Sequence, residues 1–147
     1  MTQYALDTNL YVRAIRSEEE GAALSRFYAA FTPACFLSSI VAHELLVGAT
    51  DAGKEHAVRE NFLRAFHRTG RIFTPSHSAW EVAGEAIAQL VREEKLAVRQ
   101  LPRSFFNDVL LAASCRESGM TLITDNVRDF ARIRRALRFE FGSPWPA

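Results

Sequence analysis

The sequence predicts an α/β domain with a mostly parallel central sheet of four to five short strands flanked by helices. Two observations lead to this prediction. Short apolar runs of strand length recur along the chain, and segments with helical spacing of apolar residues lie between them. Parallel strands need long crossover connections, which helices usually provide, so this alternation is typical of the α/β class.

Composition is consistent with one domain and gives no sign of a membrane protein. The chain has 147 residues, of which 48% are apolar and 24% charged, and its formal net charge is +1. This length suffices for one sizeable core, and we find no repeat or linker, so a single domain over residues 1–147 is expected. No apolar run approaches the roughly 20 residues of a membrane span, and the N-terminus does not resemble a signal peptide. We therefore expect a cytoplasmic protein in which Cys35 and Cys115 are reduced core residues.

The first half of the chain is predicted to alternate three strands with three helices. Asp7-Thr8-Asn9 has good turn chemistry and is expected to form a turn after the first strand. Ser17, with Glu20 three residues later, fits a capping box at a helix start, and Pro33 ends that helix. The predicted strands are about 3–6, 35–38 and 71–74, and the predicted helices are about 17–31, 39–51 and 53–68.

The second half is predicted to contribute three more helices and two more strands. Ser78 and Glu81 fit another capping box, and apolar residues at helical spacing follow as far as Val91. Pro102 precedes the next helix and Gly119 ends it. The remaining predicted elements are helices at about 104–118 and 127–137 and strands at about 121–124 and 138–141.

Four acidic residues occupy positions where such a fold prefers apolar ones. Asp7 ends an apolar strand, Glu44 interrupts an apolar helix, Asp108 begins the run Val109–Ala113, and Asp129 lies before Phe130. Each acid has an ordinary explanation when taken singly: turn chemistry, a solvated or arginine-paired helix face, or a helix dipole. Together they would be costly to bury without a shared cation, and a divalent metal is the simplest partner. The pattern therefore points to an enzyme.

The predicted topology brings two of these acidic segments to one edge of the sheet. Asp7 follows the first strand, while Asp125, Asn126 and Asp129 follow the strand at about 121–124. Ligands of parallel sheets bind at the carboxyl ends of the strands, so this convergence predicts a site there.

Four short motifs, taken in order, carry a family resemblance. They are Leu-Asp-Thr-Asn at residues 6–9, Ser-Ile-Val-Ala-His-Glu-Leu at 39–45, Asn-Asp-Val-Leu-Leu-Ala-Ala at 107–113 and Leu-Ile-Thr-Asp-Asn-Val-Arg-Asp-Phe at 122–130. In this order and spacing they resemble the PIN-domain family, and more narrowly the VapC-type toxins of type II toxin–antitoxin systems. The resemblance covers nearly the whole chain. It implies a ribonuclease that depends on Mg²⁺ or Mn²⁺ and leaves a 5′-phosphate and a 3′-hydroxyl.

The resemblance also implies roles for individual residues. Asp7, Glu44, Asp108 and Asp129 would form the catalytic and metal-binding quartet. We expect the first and third to bind metal directly, and the other two to position water or a second ion, since hard cations prefer carboxylate oxygens. Hydrogen bonds from three residues would support the quartet: Thr8, Asn9 and Thr124.

The last motif departs from the family pattern. The family often has Asp or Asn two places after the threonine, and that place holds Asn126, while Asp125 occupies a usually variable place. The resemblance therefore does not single out which of Asp125, Asn126 and Asp129 lies nearest the metal.

Substrate and partner surfaces are the least specific part of the prediction. The segment 128–138 holds five arginines and one acid, and it adjoins the last acidic motif. The candidate RNA-binding residues are Arg13, Arg128, Arg132 and Arg135. A homodimer and a cognate antitoxin partner are implied by the resemblance alone. Two alternatives stay open: a non-catalytic RNA-binding member of the same fold, and a metal-dependent phosphatase, which would need a second acid where Asn9 stands.

Overall fold

A five-stranded sheet in the order β3-β2-β1-β4-β5 forms the centre of the molecule. The computed structural model describes residues 1–146, so Ala147 of the predicted domain lies outside the described part. Each of the four strand pairings in that part is parallel, which confirms the predicted α/β class. The strands are β1 (Gln3–Leu6), β2 (Cys35–Ser38), β3 (Ile72–Phe73), β4 (Met120–Ile123) and β5 (Glu140–Gly142).

Helices connect the strands and cover the sheet. A π-helical segment, Arg59–Leu63, joins α4 to α5, and a short 3₁₀ helix, Val98–Gln100, precedes α7. The α-helices are α1 (Thr8–Arg16), α2 (Glu18–Phe31), α3 (Ser39–Gly48), α4 (Ala52–Val58), α5 (Arg64–Thr69), α6 (His77–Glu94), α7 (Arg103–Ser118) and α8 (Val127–Arg134). Within residues 1–146, no helix has both the length and the apolarity to cross a membrane.

The prediction of a simple turn after β1 was wrong, because α1 begins there directly. Asp7 caps this helix, and its Oδ1 accepts a hydrogen bond from the Thr8 N–H at 2.8 Å. The Asp-Thr-Asn sequence suits a turn and a helix start equally well, since both use an aspartate side chain to satisfy a backbone N–H. Leu10 and Tyr11 bury the inner face of α1 and stabilise the helix through packing.

The start of α6 also differs from the prediction. Ser76, rather than Ser78, is the capping residue, and its Oγ accepts from the Ala79 N–H at 3.2 Å. Glu117 accepts hydrogen bonds from the Ser76 N–H and hydroxyl, so a residue distant in sequence fixes this helix start. The end of α7 agrees with the prediction. Gly119 ends this helix with the positive φ of 69° that favours glycine.

Strand order places a switch point between β1 and β4. The chain first builds β2 and β3 on one side of β1 and then places β4 and β5 on the other. Ligand sites in open parallel sheets form where the strand order reverses in this way, outside the carboxyl ends of the two strands. Leu6 and Ile123, the last residues of β1 and β4, are register partners and are buried. The residues that follow them therefore enter a common crevice. Cys35 and Cys115 are buried free thiols, as predicted.

Candidate active site

Asp7 lies at the base of the crevice and is held from three directions. Its N–H donates to the Ile123 carbonyl at 3.0 Å, which continues the pairing of β1 with β4. Oδ1 accepts from the Thr8 N–H, and Oδ2 accepts from the Thr124 hydroxyl at 2.7 Å. Asp7 is only 4% exposed, and Thr124 is fully buried. The orientation of this carboxylate is thus fixed by strand pairing and by two donors.

Glu44 reaches the same crevice from α3. Its Oε1 accepts from the Thr8 hydroxyl at 2.7 Å, and its Oε2 lies 3.4 Å from Asn107 Nδ2. Thr8 therefore contacts two acids at once, Asp7 through its backbone and Glu44 through its hydroxyl. Asn107 is a contact that sequence reasoning did not assign, although it stands immediately before Asp108. Its place next to Asp108 in the motif at 107–113 was the one sequence feature that could have indicated a role at the site.

Asp108, near the start of α7, is close enough to the other acids for their charges to raise its pKa. Its pKa is raised from 3.8 to about 8, chiefly by burial and then by the charges of Asp7, Glu44 and Asp129, in decreasing order. Burial likewise raises the pKa of Asp7 to about 6, opposed by the hydrogen bonds from Thr124 and Thr8. The structure thus brings together the four acids that the sequence singled out.

Asp129 lies in the first turn of α8 and is linked back to Asp7. Asn126 Nδ2 donates to Asp129 Oδ2 at 3.2 Å, and the Asn126 N–H donates to the Thr124 hydroxyl at 3.0 Å. Since Thr124 in turn donates to Asp7, one hydrogen-bonded chain joins the first and last acids of the quartet. Asn126 and Asp129 are therefore both part of the hydrogen-bonded network around Asp7.

Asp125 and Asn9, unlike the other supporting candidates, make no hydrogen bond to the four acids within residues 1–146. Asp125 forms an ion pair with Arg13 of α1, and its Oδ1 is buried without a hydrogen-bond partner in the described residues. Its charge still raises the pKa of Asp7, so it borders the crevice. Asn9 is exposed, and within residues 1–146 no hydrogen bond joins it to the four acids.

The four acids offer hard oxygen ligands to the crevice. Across residues 1–146, none of the four acids takes part in an ion pair. In the same residues, no group of three or more His, Cys, Asp or Glu side chains is close enough to form a ready-made metal cluster. Mg²⁺ usually keeps several waters and binds through one or two carboxylates, so this donor set fits it. Asp7 and Asp108, the two acids with the raised pKa values, are the residues that such an ion would ionise.

The four candidate RNA-binding arginines differ in how freely they can reach a phosphate. Arg128 is exposed and forms no ion pair among the described residues. Arg135 is also exposed, and its guanidinium lies 3.9 Å from Glu93. Arg13 is paired with Asp125, and Arg132 is bound to Glu94. The RNA-binding role of all four stays a prediction.

Comparison with known proteins identifies relatives along almost the whole chain. The PIN domain family model matches residues 4–136. Ribonuclease VapC2 of Haemophilus influenzae is 34% identical over 143 residues, covering 95% of this chain and 98% of that protein. Two solved structures share the fold at lower identity. One is VapBC2 from Rickettsia felis bound to a promoter DNA fragment, with TM-score 0.65, 23% identity and coverage of 99% and 100%. The other is DNA-bound VapBC from Salmonella typhimurium, with TM-score 0.69, 21% identity and coverage of 97% and 98%.

Proposed function

The chain belongs to the PIN-domain family and is VapC-like, and on this premise we propose that it is an Mg²⁺- or Mn²⁺-dependent endoribonuclease. It would act as the toxin of a type II toxin–antitoxin pair. One observation carries the proposal. Four acids from four separate segments meet at the switch point of the sheet, two of them with raised pKa values, and none of the four forms an ion pair within residues 1–146. Such a site is costly for a protein unless a cation binds there.

Some residues of the crevice would bind the metal ion, and others would orient the attacking water. Asp7, fixed by Thr124 and the Thr8 N–H, and Asp108 on α7 would be the direct ligands of the ion. When bound, the ion supplies a nucleophilic water at neutral pH and offsets charge on the phosphate. Glu44, oriented by the Thr8 hydroxyl, would accept hydrogen bonds from the attacking water. Asp129, oriented by Asn126, would also position water or hold a second ion.

Partners of the relatives suggest the partner of this chain. The similar structures from Rickettsia felis and Salmonella typhimurium are VapBC assemblies. We therefore propose a cognate antitoxin as partner and RNA as substrate, with a homodimer as the expected assembly. The cytoplasmic location and the extent of the domain over residues 1–147 stay predictions from the sequence.

The decisive experiment is RNA cleavage by the purified, antitoxin-free chain in Mg²⁺ or Mn²⁺, beside EDTA and the Asp108→Asn variant. We expect metal-dependent cutting that falls at least about a hundredfold in the variant, because a ligand of the ion is lost. Asp51→Asn is a matched control, since Asp51 caps α4 and asparagine caps a helix equally well. This control should cut like the wild type.

The products and the EDTA arm separate the proposal from its rivals. Hydrolysis should leave a 5′-phosphate and a 3′-hydroxyl, whereas 2′,3′-cyclic phosphate ends would show attack by the RNA's own 2′-hydroxyl. Retained RNA affinity in EDTA, with no cutting of a broad RNA panel in metal, would favour the non-catalytic binding module. Cutting that survives both EDTA and Asp108→Asn would place the chemistry elsewhere.

A further inference from the structure

Arg132 of α8 is engaged by two partners within the chain. Its Nε lies 3.0 Å from Glu94 Oε1 and 2.9 Å from Oε2, and its Nη2 also donates to Oε1. The face of the same guanidinium lies over the ring of Phe105, 4.6 Å from its centroid. Paired and stacked contacts of this kind use the planar fork of arginine in a way that lysine cannot reproduce.

The three residues come from three helices, and two of these helices carry acids of the site. Glu94 is the last residue of α6, Phe105 lies on α7 one turn before Asp108, and Arg132 lies on α8 one turn after Asp129. Residues three apart share a helix face, so the stack of Arg132 on Phe105 lies next to the two acids. This contact ties α7 to α8 beside the crevice.

Burial and charge make the contact firm. The side chains of Arg132 and Glu94 are 28% and 22% exposed, and Phe105 is buried. The hydrogen bond from Arg132 lowers the pKa of Glu94, and the same bond raises the pKa of Arg132. The charge of Asp129 also raises the pKa of Arg132, but by less than the contact with Glu94 does. The donors and the face of the guanidinium are thus already directed at groups of this chain.

We propose that Arg132 is a positioning residue for the acidic site and not a phosphate ligand. Held by Glu94 and stacked on Phe105, it fixes α8 against α7 and so sets the separation of Asp129 from Asp108. The inference rests on the proposed function and assigns Arg132 a role different from the one expected from the arginine-rich segment. Such outer contacts orient ligands, and their loss typically weakens metal binding by 10- to 100-fold.

The first test compares Mn²⁺ binding with RNA binding in Arg132→Ala. Mn²⁺ affinity is measured directly by electron paramagnetic resonance of the free ion, and RNA affinity is measured in EDTA over a range of salt. Positioning predicts about tenfold weaker Mn²⁺ binding, with RNA affinity and its salt dependence at wild-type values. Loss of one phosphate contact instead predicts unchanged Mn²⁺ affinity and a salt slope smaller by about 0.7, and that result would overturn the proposal.

Glu94→Gln gives the two roles opposite outcomes. If Arg132 positions the acids, the weaker neutral contact should loosen α8 and weaken Mn²⁺ binding severalfold, with RNA binding unchanged. If Arg132 binds phosphate, Glu94 competes with RNA, and its neutralisation should tighten RNA binding. Arg132→Lys keeps the charge but not the paired and stacked geometry, so positioning predicts only partial rescue. If thermal denaturation shows that Arg132→Ala does not fold, Glu94→Gln and Arg132→Lys are used in its place to distinguish the two roles.

Arg134 provides a matched control on the same helix. Its guanidinium lies 5.4 Å from the centroid of Phe141 and 3.7 Å from Glu140, so it has the same kinds of partner. Two residues along a helix it points away from Arg132, and Arg134→Ala should bind Mn²⁺ like the wild type. Wild-type protein that neither binds Mn²⁺ nor cuts RNA would remove the proposed function. Wild-type behaviour of Arg132→Ala and Glu94→Gln in an active enzyme would remove this inference alone.

Discussion

Two clusters of acidic residues lie near each other in this molecule, and their electrostatics are opposite. In the crevice, burial and mutual repulsion raise the pKa values of Asp7 and Asp108. At the end of α6, Arg132 lowers the pKa of Glu94, and Arg135 adds a smaller effect. Glu94 in the second cluster is ion-paired with an arginine of the chain, whereas none of the four crevice acids forms an ion pair among the described residues. The first cluster is therefore built to receive a cation from outside, and the second to hold helices together.

The largest expected difference between the clusters is in the pH dependence of stability without metal. Asp108, with an ordinary pKa of 3.8, has one of about 8 when folded, so the folded state retains a proton that the unfolded state has lost. The stability that Asp108 contributes is fully present below about pH 3.8 and is lost as pH rises through 8. Between these limits the free energy of unfolding should fall by up to about 1.4 kcal/mol per pH unit. Urea denaturation in EDTA at several pH values measures this slope.

Asp108→Asn tests whether Asp108 causes this pH dependence of stability. Asparagine does not titrate, so the variant should lose most of the slope and be more stable than the wild type in EDTA at pH 8. Its RNA cleavage in metal should still be reduced at least about a hundredfold. Glu94 has the opposite sign, because a lowered pKa gives stability that is lost as pH falls. Glu94→Gln should therefore leave the slope between pH 5 and 8 unchanged. A wild-type slope in Asp108→Asn would contradict the assignment of the crevice as the titrating cluster.

Added Mg²⁺ or Mn²⁺ should reverse the instability of the crevice. A ligand at 100 times its dissociation constant stabilises the folded state by about 2.7 kcal/mol. Because binding requires ionised carboxylates, the stabilisation at a fixed metal concentration should be larger at pH 8 than at pH 5. Thermal denaturation with and without metal at both pH values measures it. Equal stabilisation of the wild type and Asp108→Asn would indicate binding at another site.

Thr124→Val tests how the site restrains Asp7. The substitution keeps the shape of a fully buried side chain but removes the donor to Asp7 and the acceptor for the Asn126 N–H. We expect the pKa of Asp7 to rise above about 6, since the Thr124 hydrogen bond lowers it in the wild type. The loss of stability should be about 1–3 kcal/mol. Carboxyl resonances followed by NMR over pH give the pKa, and an unchanged value would contradict this role.

The smallest effects are expected at the surface. Arg128 is exposed, so Arg128→Ala should change stability by less than about 0.5 kcal/mol. If Arg128 contacts one RNA phosphate, the slope of log affinity against log salt should shrink by about 0.7. RNA binding in EDTA, measured with fluorescently labelled RNA, tests this. Wild-type affinity and slope would limit the RNA contacts to other residues.

Sequence patterns located the buried elements better than the contacts between them. The strands predicted at 3–6 and 35–38 match β1 and β2, which are short, largely apolar segments with a buried core-facing side. Helix α1 was missed because its capping residue, Asp7, has the same local chemistry as a turn. The contact of Ser76 with Glu117 was not predictable, since it joins residues 41 apart in sequence.

By itself the sequence determined the parallel α/β class, the four misplaced acids and the edge of the sheet where they meet. An acid surrounded by apolar residues stands out in the sequence, so these four positions could be singled out without a structure. Tertiary structure decided which neighbours each charged group has. It placed Asp7 and Asp108 close to other acids. It also brought Asn107 within hydrogen-bonding distance of Glu44. Arg132 is bound to Glu94, although the sequence suggested that it was one of several free arginines. The physical reason is that electrostatic energies depend on distances between groups, and only the folded chain sets those distances.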